Sequence, residues 1–169
     1  MTKEAQKLID KISNAFAGVR LEDGISLNMT EYHDAGGLFP EYAKKAESDE
    51  RNDWSIIPEE TLEKFTVTFS FTDLKGFRFY IPAYMIYTIR NYKSSDSIIS
   101  DFTIYAIDPS HYLFESTSFH NWFTQDQVTA MTEFLEFAIQ SEDWLDETVA
   151  IRNLKQIKEA QPPLTPNNH

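Results

Sequence analysis

The chain has 169 residues, with 15 Lys or Arg against 27 Asp or Glu, so its net charge at pH 7 is −12. This charge disfavours nucleic acid and anionic membrane surfaces as partners, because both are bound through Lys and Arg side chains. A basic protein partner, a bound cation or simple solubility can each account for such an acidic surface. The chain has no cysteine, which excludes thiol nucleophiles, thiolate zinc sites and disulfide bonds.

At this length we expect one compact globular domain over residues 1–160, followed by a disordered tail at 161–169. The N-terminal sequence has no apolar segment typical of a signal peptide. The longest apolar run, residues 79–87, contains a proline and is far too short to span a bilayer. We therefore expect a soluble, cytoplasmic protein. The sequence predicts no cofactor and does not fix the oligomeric state.

The first predicted element is an amphipathic helix over residues 3–17. Thr2 is suited to cap its start and Gly18 to end it. Apolar residues recur on one face of this helix, at Ala5, Leu8, Ile12, Ala15 and Val19. This pattern is typical of a helix that packs one side onto a core.

Residues 19–58 are less regular, and a turn is predicted at Gly24. Charged residues are dense from residue 40 to residue 53, and Pro40 suits the first turn of a helix. We therefore expect a short, solvent-exposed helix there. Pro58, with two glutamates after it, marks the next helix start.

Aromatic side chains concentrate in residues 65–92, which hold nine of the 24 in the chain. So much aromatic surface must be buried or must bind a partner. Within it, residues 65–71 alternate large apolar residues with Thr and Ser, which is typical of a strand. Leu62, Phe65 and Phe69 also fit one face of a helix, so both interpretations stay open.

Residues 77–92 are predicted to be the central element of the fold. Thr72 and Asp73 can cap a short helix that runs through Phe79. Pro82 is expected to kink or restart the helix, because proline has no backbone N–H to donate. Beyond this proline the helix is apolar on nearly every side, which indicates that it lies inside the core.

Residues 98–107 suit a helix that ends before Pro109, with a strand at 102–107 as the alternative. The apolar residues of this helix are Ile98, Phe102, Tyr105 and Ala106. Residues 108–123 are interpreted as a connection. Its aromatic anchors are Tyr112, Phe114, Phe119, Trp122 and Phe123.

The clearest helix start is a capping box formed by Thr124 and Gln127. Ser141 is suited to cap a last helix, whose first turns are acidic and whose end is basic. That distribution complements the helix dipole.

No motif of a nucleotide-binding loop, a serine hydrolase or a zinc protease is present. His111 and Glu115 are four residues apart, but they lie in the predicted connection without an evident third ligand, so we predict no metal site. The absent motifs favour a protein without catalytic activity and leave an enzyme as the alternative.

Arg78 stands between Phe77 and Phe79, in the most aromatic part of the chain. It could bind a carboxylate ligand with support from aromatic stacking. We favour an internal ion pair with Asp53 or Asp73, because a partly buried arginine is usually paired. A binding pocket around this arginine would add Tyr80, Tyr84, Trp54, Asp53 and Asp34.

Three segments carry a family resemblance. They are GISL at 24–27, DWSIIP at 53–58 and FSFTDLKGFRFYIPAYM at 69–85. The chain resembles a family of small bacterial proteins of unknown function with a D-W-x-x-I-P element, a G-F-R-F-Y-x-P-A-Y-M element and a helix opened by a capping box. The resemblance covers most of residues 8–140. It implies one compact domain and no particular activity.

We predict a mainly α, compact single domain of about five to seven helices, with at most a short strand pair at 65–71 and 102–107. The alternative is an α+β domain with a small sheet there. For function we favour a non-enzymatic acidic binding or accessory protein, such as an immunity-type or regulatory partner of a basic protein. The alternative is a small-ligand-binding protein or enzyme that uses Arg78 with nearby aromatic residues and carboxylates.

Overall fold

The computed structural model describes residues 1–94, 98–141 and 144–160, and the predicted tail at 161–169 lies outside them. The α-helices are α1 (Lys3–Ala15), α2 (Leu27–Asp34), α3 (Pro40–Lys45), α4 (Glu59–Leu62), α5 (Thr68–Phe71), α6 (Leu74–Asn91), α7 (Ile99–Ala106), α8 (Phe119–Trp122), α9 (Gln125–Ile139) and α10 (Glu147–Glu159). Short 3-10 turns lie at Ala46–Ser48, Trp54–Ile56 and Tyr112–Phe114. The mainly α prediction is confirmed.

The described residues form ten α-helices, more than the five to seven predicted. Helices α4, α5 and α8 have four residues each and α3 has six. One helical turn is too short to repeat an apolar pattern, so periodicity cannot detect such elements. Within the part of the chain that the structure describes, no helix is long and apolar enough to cross a membrane.

Helix α1 follows its predicted pattern. The hydroxyl of Thr2 accepts a hydrogen bond from the backbone N–H of Ala5 at 3.1 Å. Gly18, three residues beyond the helix end, has a φ of +72°, a conformation that favours glycine. The buried side chains are Ala5, Leu8, Ile9 and Ile12. Helix α1 packs against α6 and α9.

Helix α6 is the central element, as predicted. Every residue from Phe79 to Ile89 is buried, and the helix packs against α1, α4 and α7. It runs without interruption through Pro82, so the predicted restart is wrong. The proline removes only the hydrogen bond that its N–H would make to the carbonyl of Arg78, and packing on several sides stabilises the remaining turns.

Of the two open interpretations of residues 65–71, the strand is wrong, because the segment forms a turn followed by α5. The hydroxyl of Tyr84 donates to the carbonyl of Phe65 at 2.7 Å, and the hydroxyl of Thr68 donates to the same oxygen at 3.0 Å. These bonds fix the segment against α6 instead of against a strand. Residues 102–107 lie in α7 and its end, and no strand occurs in the described ranges, so the α+β alternative is also wrong.

Residues 108–123 connect α7 to α9 as predicted, with the single-turn helix α8 inside them. The buried anchors of this connection are Phe114, Phe119 and Phe123. Their ring centroids lie 4.9 to 6.0 Å apart. Phe77 of α6 packs on this cluster, at 5.6 and 5.9 Å from two of its rings. Tyr112, another predicted anchor, is 50% exposed, and its hydroxyl donates to the carbonyl of Ser70.

Helix α9 begins at the predicted capping box. The hydroxyl of Thr124 accepts from the N–H of Gln127 at 3.3 Å, and the side-chain oxygen of Gln127 accepts from the N–H of Thr124 at 3.2 Å. Helix α10 begins later than predicted. Asp146, instead of Ser141, caps it by accepting a first-turn N–H at 3.0 Å. Helices α9 and α10 pack on each other, and α10 also contacts α7.

Candidate functional site

The predicted site residues do not line one cavity. Of five surface cavities, none is lined by more than two of the six residues. Trp54 is buried, and its indole N–H donates to the carbonyl of Phe16 at 2.9 Å. Asp53 accepts from the N–H and the hydroxyl of Ser55, at 3.0 and 2.6 Å. These two predicted residues share a cavity of about 350 Å³ with Arg20.

The two predicted tyrosines belong to the core. Tyr84 is buried, donates to the carbonyl of Phe65 and lies within hydrogen-bond distance, 2.9 Å, of the hydroxyl of Thr68. Burial raises the pKa of Tyr84. Tyr80 is also buried, and burial followed by the charge of Asp49 raises its pKa. Neither phenol is poised to exchange a proton near neutral pH.

Asp34 is exposed on the last turn of α2 and lines none of these five cavities. His111 accepts from the N–H of Leu113 at 3.4 Å through Nδ1, and its ring packs beside Phe77 and Tyr112. The described residues contain no group of three His, Asp or Glu side chains that could hold a metal ion.

Arg78, one turn into α6, does not form the predicted ion pair. Its Nε is buried and has no hydrogen-bond partner among the described residues. Asp73 is already engaged, because it accepts from the N–H groups of Gly76 at 2.8 Å and of Ile25 at 3.2 Å. Asp53 is engaged in its own turn. Both carboxylates expected to pair with Arg78 therefore accept hydrogen bonds from nearby N–H groups instead.

Arg78 lies in a cleft of about 350 Å³ between the end of α1, the start of α6 and the start of α9. We call it the Arg78 cleft; its lining includes Val19, Arg20, Glu22, Lys75, Arg78, Trp122 and Gln127. Lys75 is paired with Glu22 at 2.9 Å and with Asp23, and its pKa is raised mainly by the hydrogen bond to Asp23. Arg20 and Arg78 form no ion pair and no hydrogen bond within the described part of the chain.

A second candidate surface is the outward side of α7, which we call the α7 face. It consists of Ile98, Phe102 and Tyr105, spaced at helical intervals and exposed by 55%, 39% and 38%. The rings of Phe102 and Tyr105 meet edge to face, with centroids 5.9 Å apart. The sequence assigned these residues to a helix but did not reveal that this apolar stripe points outward.

Two carboxylates lie beside the α7 face. The hydroxyl of Tyr105 donates to Asp146 at 2.9 Å, and this bond raises the pKa of Tyr105 to about 12. The pKa of Asp146 is lowered, first by the N–H of Val149 and then by Tyr105. Asp101 accepts the N–H of Asp146 at 3.2 Å. The face therefore combines exposed aromatic rings with fixed negative charge.

The fold and these surfaces define an acidic, mainly helical protein built around one buried aromatic helix. A family model described as "Family of unknown function (DUF6714)" matches residues 4–159, and the chain belongs to that family. This match confirms the resemblance to a family of unknown function. No curated protein and no solved structure matches the chain.

Proposed function

We propose that this protein is a non-enzymatic binding protein whose partner is a basic protein, and that the partner docks on the α7 face. An immunity-type or regulatory role, in which the acidic protein occupies a functional surface of the basic one, fits this chemistry best. The observation that carries the proposal is the exposed pair of Phe102 and Tyr105 beside Asp101 and Asp146.

The aromatic pair supports a protein partner. Phe102 and Tyr105 are in mutual contact yet keep 39% and 38% of their surface exposed. Aromatic residues are enriched at the centres of protein interfaces, where they bury a large area at a low cost in conformational entropy. Ile98, one turn earlier, extends the same apolar stripe. Burial of this stripe is a source of affinity that the free protein does not use.

The charge of the chain supports a basic partner. The net charge of −12 attracts a cationic protein over a distance and raises its association rate. At the α7 face itself, Asp146 is held by Tyr105 and by the first turn of α10, so it needs no reorganisation to meet a Lys or Arg. Fixed carboxylates next to aromatic rings suit a partner segment that alternates basic and apolar side chains.

An affinity experiment tests this proposal. The immobilised protein is incubated with an extract of the cells in which it occurs, and the retained proteins are identified at low salt and at about 0.5 M salt. At the higher concentration the Debye length is on the order of 5 Å, so attraction between surface charges is screened. We compare wild type with Phe102→Ser and with Leu38→Ser, a control at an apolar residue that is 76% exposed. The proposal requires a basic protein that is lost with Phe102→Ser and at high salt, and kept with Leu38→Ser. Retention of the same proteins by all three variants would contradict it.

A further inference from the structure

We propose that the Arg78 cleft is a binding site for a small organic carboxylate with an apolar body. The inference is independent of the protein partner proposed above, because the cleft lies between α1, α6 and α9 and its lining shares no residue with the α7 face. Its starting point is two cationic side chains that the acidic protein leaves unpaired in one cavity.

The five arginines of the chain separate into two groups. Arg90 and Arg152 pair with carboxylates at 3.0 Å, and Arg51 donates to two backbone carbonyls. Arg20 and Arg78, by contrast, have no ion pair and no hydrogen bond in the described ranges, and both line the Arg78 cleft. Arg20 is exposed, so its lack of a partner is ordinary, and it adds positive charge to the cavity. Arg78 is half-buried, and because a partly buried arginine is usually paired, its lack of a partner in a chain with 27 acidic residues points to an anion that is not part of the chain.

The acids nearest the two arginines already have other partners. Glu22, which lines the cleft, pairs with Lys75 at 2.9 Å, and Asp23 pairs with the same lysine. Asp73 is held by two backbone N–H groups at the start of α6. A change of partner would break existing charge-assisted hydrogen bonds, which an added ligand does not require.

The walls of the cleft are fixed before any ligand arrives. Gln127 completes the capping box of α9 and donates to the carbonyl of Ala15, which joins α9 to the end of α1. The indole N–H of Trp122 donates to the carbonyl of Leu74, which joins the connection before α9 to the start of α6. A rigid site loses little conformational entropy on binding.

The lining favours a carboxylate over inorganic phosphate. A guanidinium forms two parallel hydrogen bonds to a carboxylate, and the two Nη groups of Arg78, which lines the cleft, make no hydrogen bond to the described residues. Trp122 and Val19 add apolar surface to the same cavity. The volume of about 350 Å³ lies in the range of small-molecule sites. An aromatic or aliphatic acid would place its charge on the arginines and its body on the apolar wall.

The test uses phenylacetate as the probe and two reference compounds. Phenylacetamide has the same body without the charge, and inorganic phosphate has charge without an apolar body. The full-length protein, labelled with ¹⁵N, is titrated while the arginine Nε–H signals and the melting temperature are recorded. The Arg78 signal is assigned by its loss in Arg78→Met. We expect phenylacetate to shift this signal and to raise the melting temperature, and the reference compounds to do neither.

Two variants separate binding from folding. Arg78→Met removes the charge at similar length, and it should weaken phenylacetate binding by about tenfold or more, because a charge-assisted bond is lost. The free variant should melt at or above the wild-type temperature, since the arginine has no partner in the structure to lose. Lys64→Met, at an exposed residue outside the cleft, should bind phenylacetate like wild type.

Three results would overturn the inference. The first is the absence of any phenylacetate-dependent shift in the Arg78 Nε–H signal at saturating probe. The second is an equal response to phosphate, which would show only general attraction of anions. The third is a strong loss of stability in Arg78→Met without ligand, which would assign the arginine to the fold.

Discussion

Tyr84 shows how one side chain of α6 can determine the shape of a distant segment. Its hydroxyl donates to the carbonyl of Phe65 at 2.7 Å and lies 2.9 Å from the hydroxyl of Thr68. The three groups form a buried polar cluster that holds the turn before α5. A buried hydrogen-bonded hydroxyl of this kind specifies one conformation of the segment that it binds.

We predict that Tyr84→Phe costs about 1–2 kcal/mol of unfolding free energy, because it removes the phenol hydroxyl from a buried hydrogen-bonded cluster. Tyr84→Ala should cost about 2–5 kcal/mol, because it also leaves a cavity in the core. Chemical denaturation measures both values. Tyr112→Phe is the control, because its hydroxyl donates to the carbonyl of Ser70 in an exposed hydrogen bond that water can replace, so its removal should cost less than Tyr84→Phe. An alanine variant at position 84 as stable as wild type would show that Tyr84 lies outside the core.

His111, whose ring packs beside Phe77 of α6, makes the stability of the fold depend on pH. Burial lowers its pKa from the ordinary value of 6.5, and the charge of Asp108 opposes this effect only in part. The folded state therefore binds the proton less tightly than the unfolded state. The stability that His111 contributes is complete above pH 6.5 and is lost as the pH falls below that value through the folded pKa.

We predict that wild type loses more stability than His111→Asn when the pH falls from about 7.5 to about 5. This range spans the ordinary histidine pKa of about 6.5. Asparagine can still accept the N–H of Leu113 but does not titrate. Urea midpoints across this range measure the difference. The carboxylates whose pKa is lowered, such as Asp146, titrate at more acidic pH and affect both proteins equally. Parallel pH profiles for the two proteins would refute the assignment.

At the scale of elements, the start of α6 is a closely packed junction. Gly76 lies where the helix meets the segment that contains Ile25. A Cβ atom added to this glycine would lie 2.0 Å from the hydroxyl oxygen of Thr72 and 2.6 Å from the carbonyl oxygen of Ile25. Asp73 closes the junction by binding one N–H from each side. The central helix is thus docked through its backbone as well as through its aromatic side chains.

We predict that Gly76→Ala destabilises the protein by about 1–3 kcal/mol, although alanine is the better helix former, because the methyl group overpacks the junction. Thermal and chemical unfolding measure the change. Adding Thr72→Ala removes the hydroxyl clash but leaves the backbone contact with Ile25, so the double variant should recover only part of the loss. An increase in stability for Gly76→Ala alone would show that the junction is open.

Elements can be predicted from the sequence where the residues that specify them lie within the element itself. The cap at Thr2, the capping box at Thr124 and the apolar run after Pro82 each act within one helix, and all three helices form. Residues 65–71 were ambiguous because alternating Phe and Thr fit a strand or a helix equally. The bond that decided between them comes from Tyr84, which is distant in sequence.

The candidate surfaces were harder to predict than the helices. Arg78 was identified from its aromatic neighbours, but its lack of a partner depends on Asp73 being taken up by Gly76 and Ile25. The α7 face cannot be predicted from the sequence, because helical periodicity detects a row of apolar residues but does not show whether that row faces the core or the solvent. Helix α7 packs against α6 and α10, and such non-local contacts decide which of its sides stays exposed.

At the scale of the whole molecule, two surfaces of opposite character are carried by one acidic protein. The α7 face presents aromatic rings with carboxylates, and the Arg78 cleft presents two unpaired guanidinium groups. The two proposals are separable. Phe102→Ser should abolish partner retention and leave phenylacetate binding intact, whereas Arg78→Met should do the reverse.

The most direct measurement of the central claim is site-specific photo-crosslinking from the α7 face. A benzophenone amino acid replaces Phe102 in one sample and Leu38, 76% exposed, in another. Each protein is irradiated in an extract of its own cells at low and high salt, and the products are identified by mass spectrometry. We predict one basic protein crosslinked at position 102, absent at position 38 and at high salt. Equal crosslinking at both positions, or no crosslink at position 102, would contradict the account.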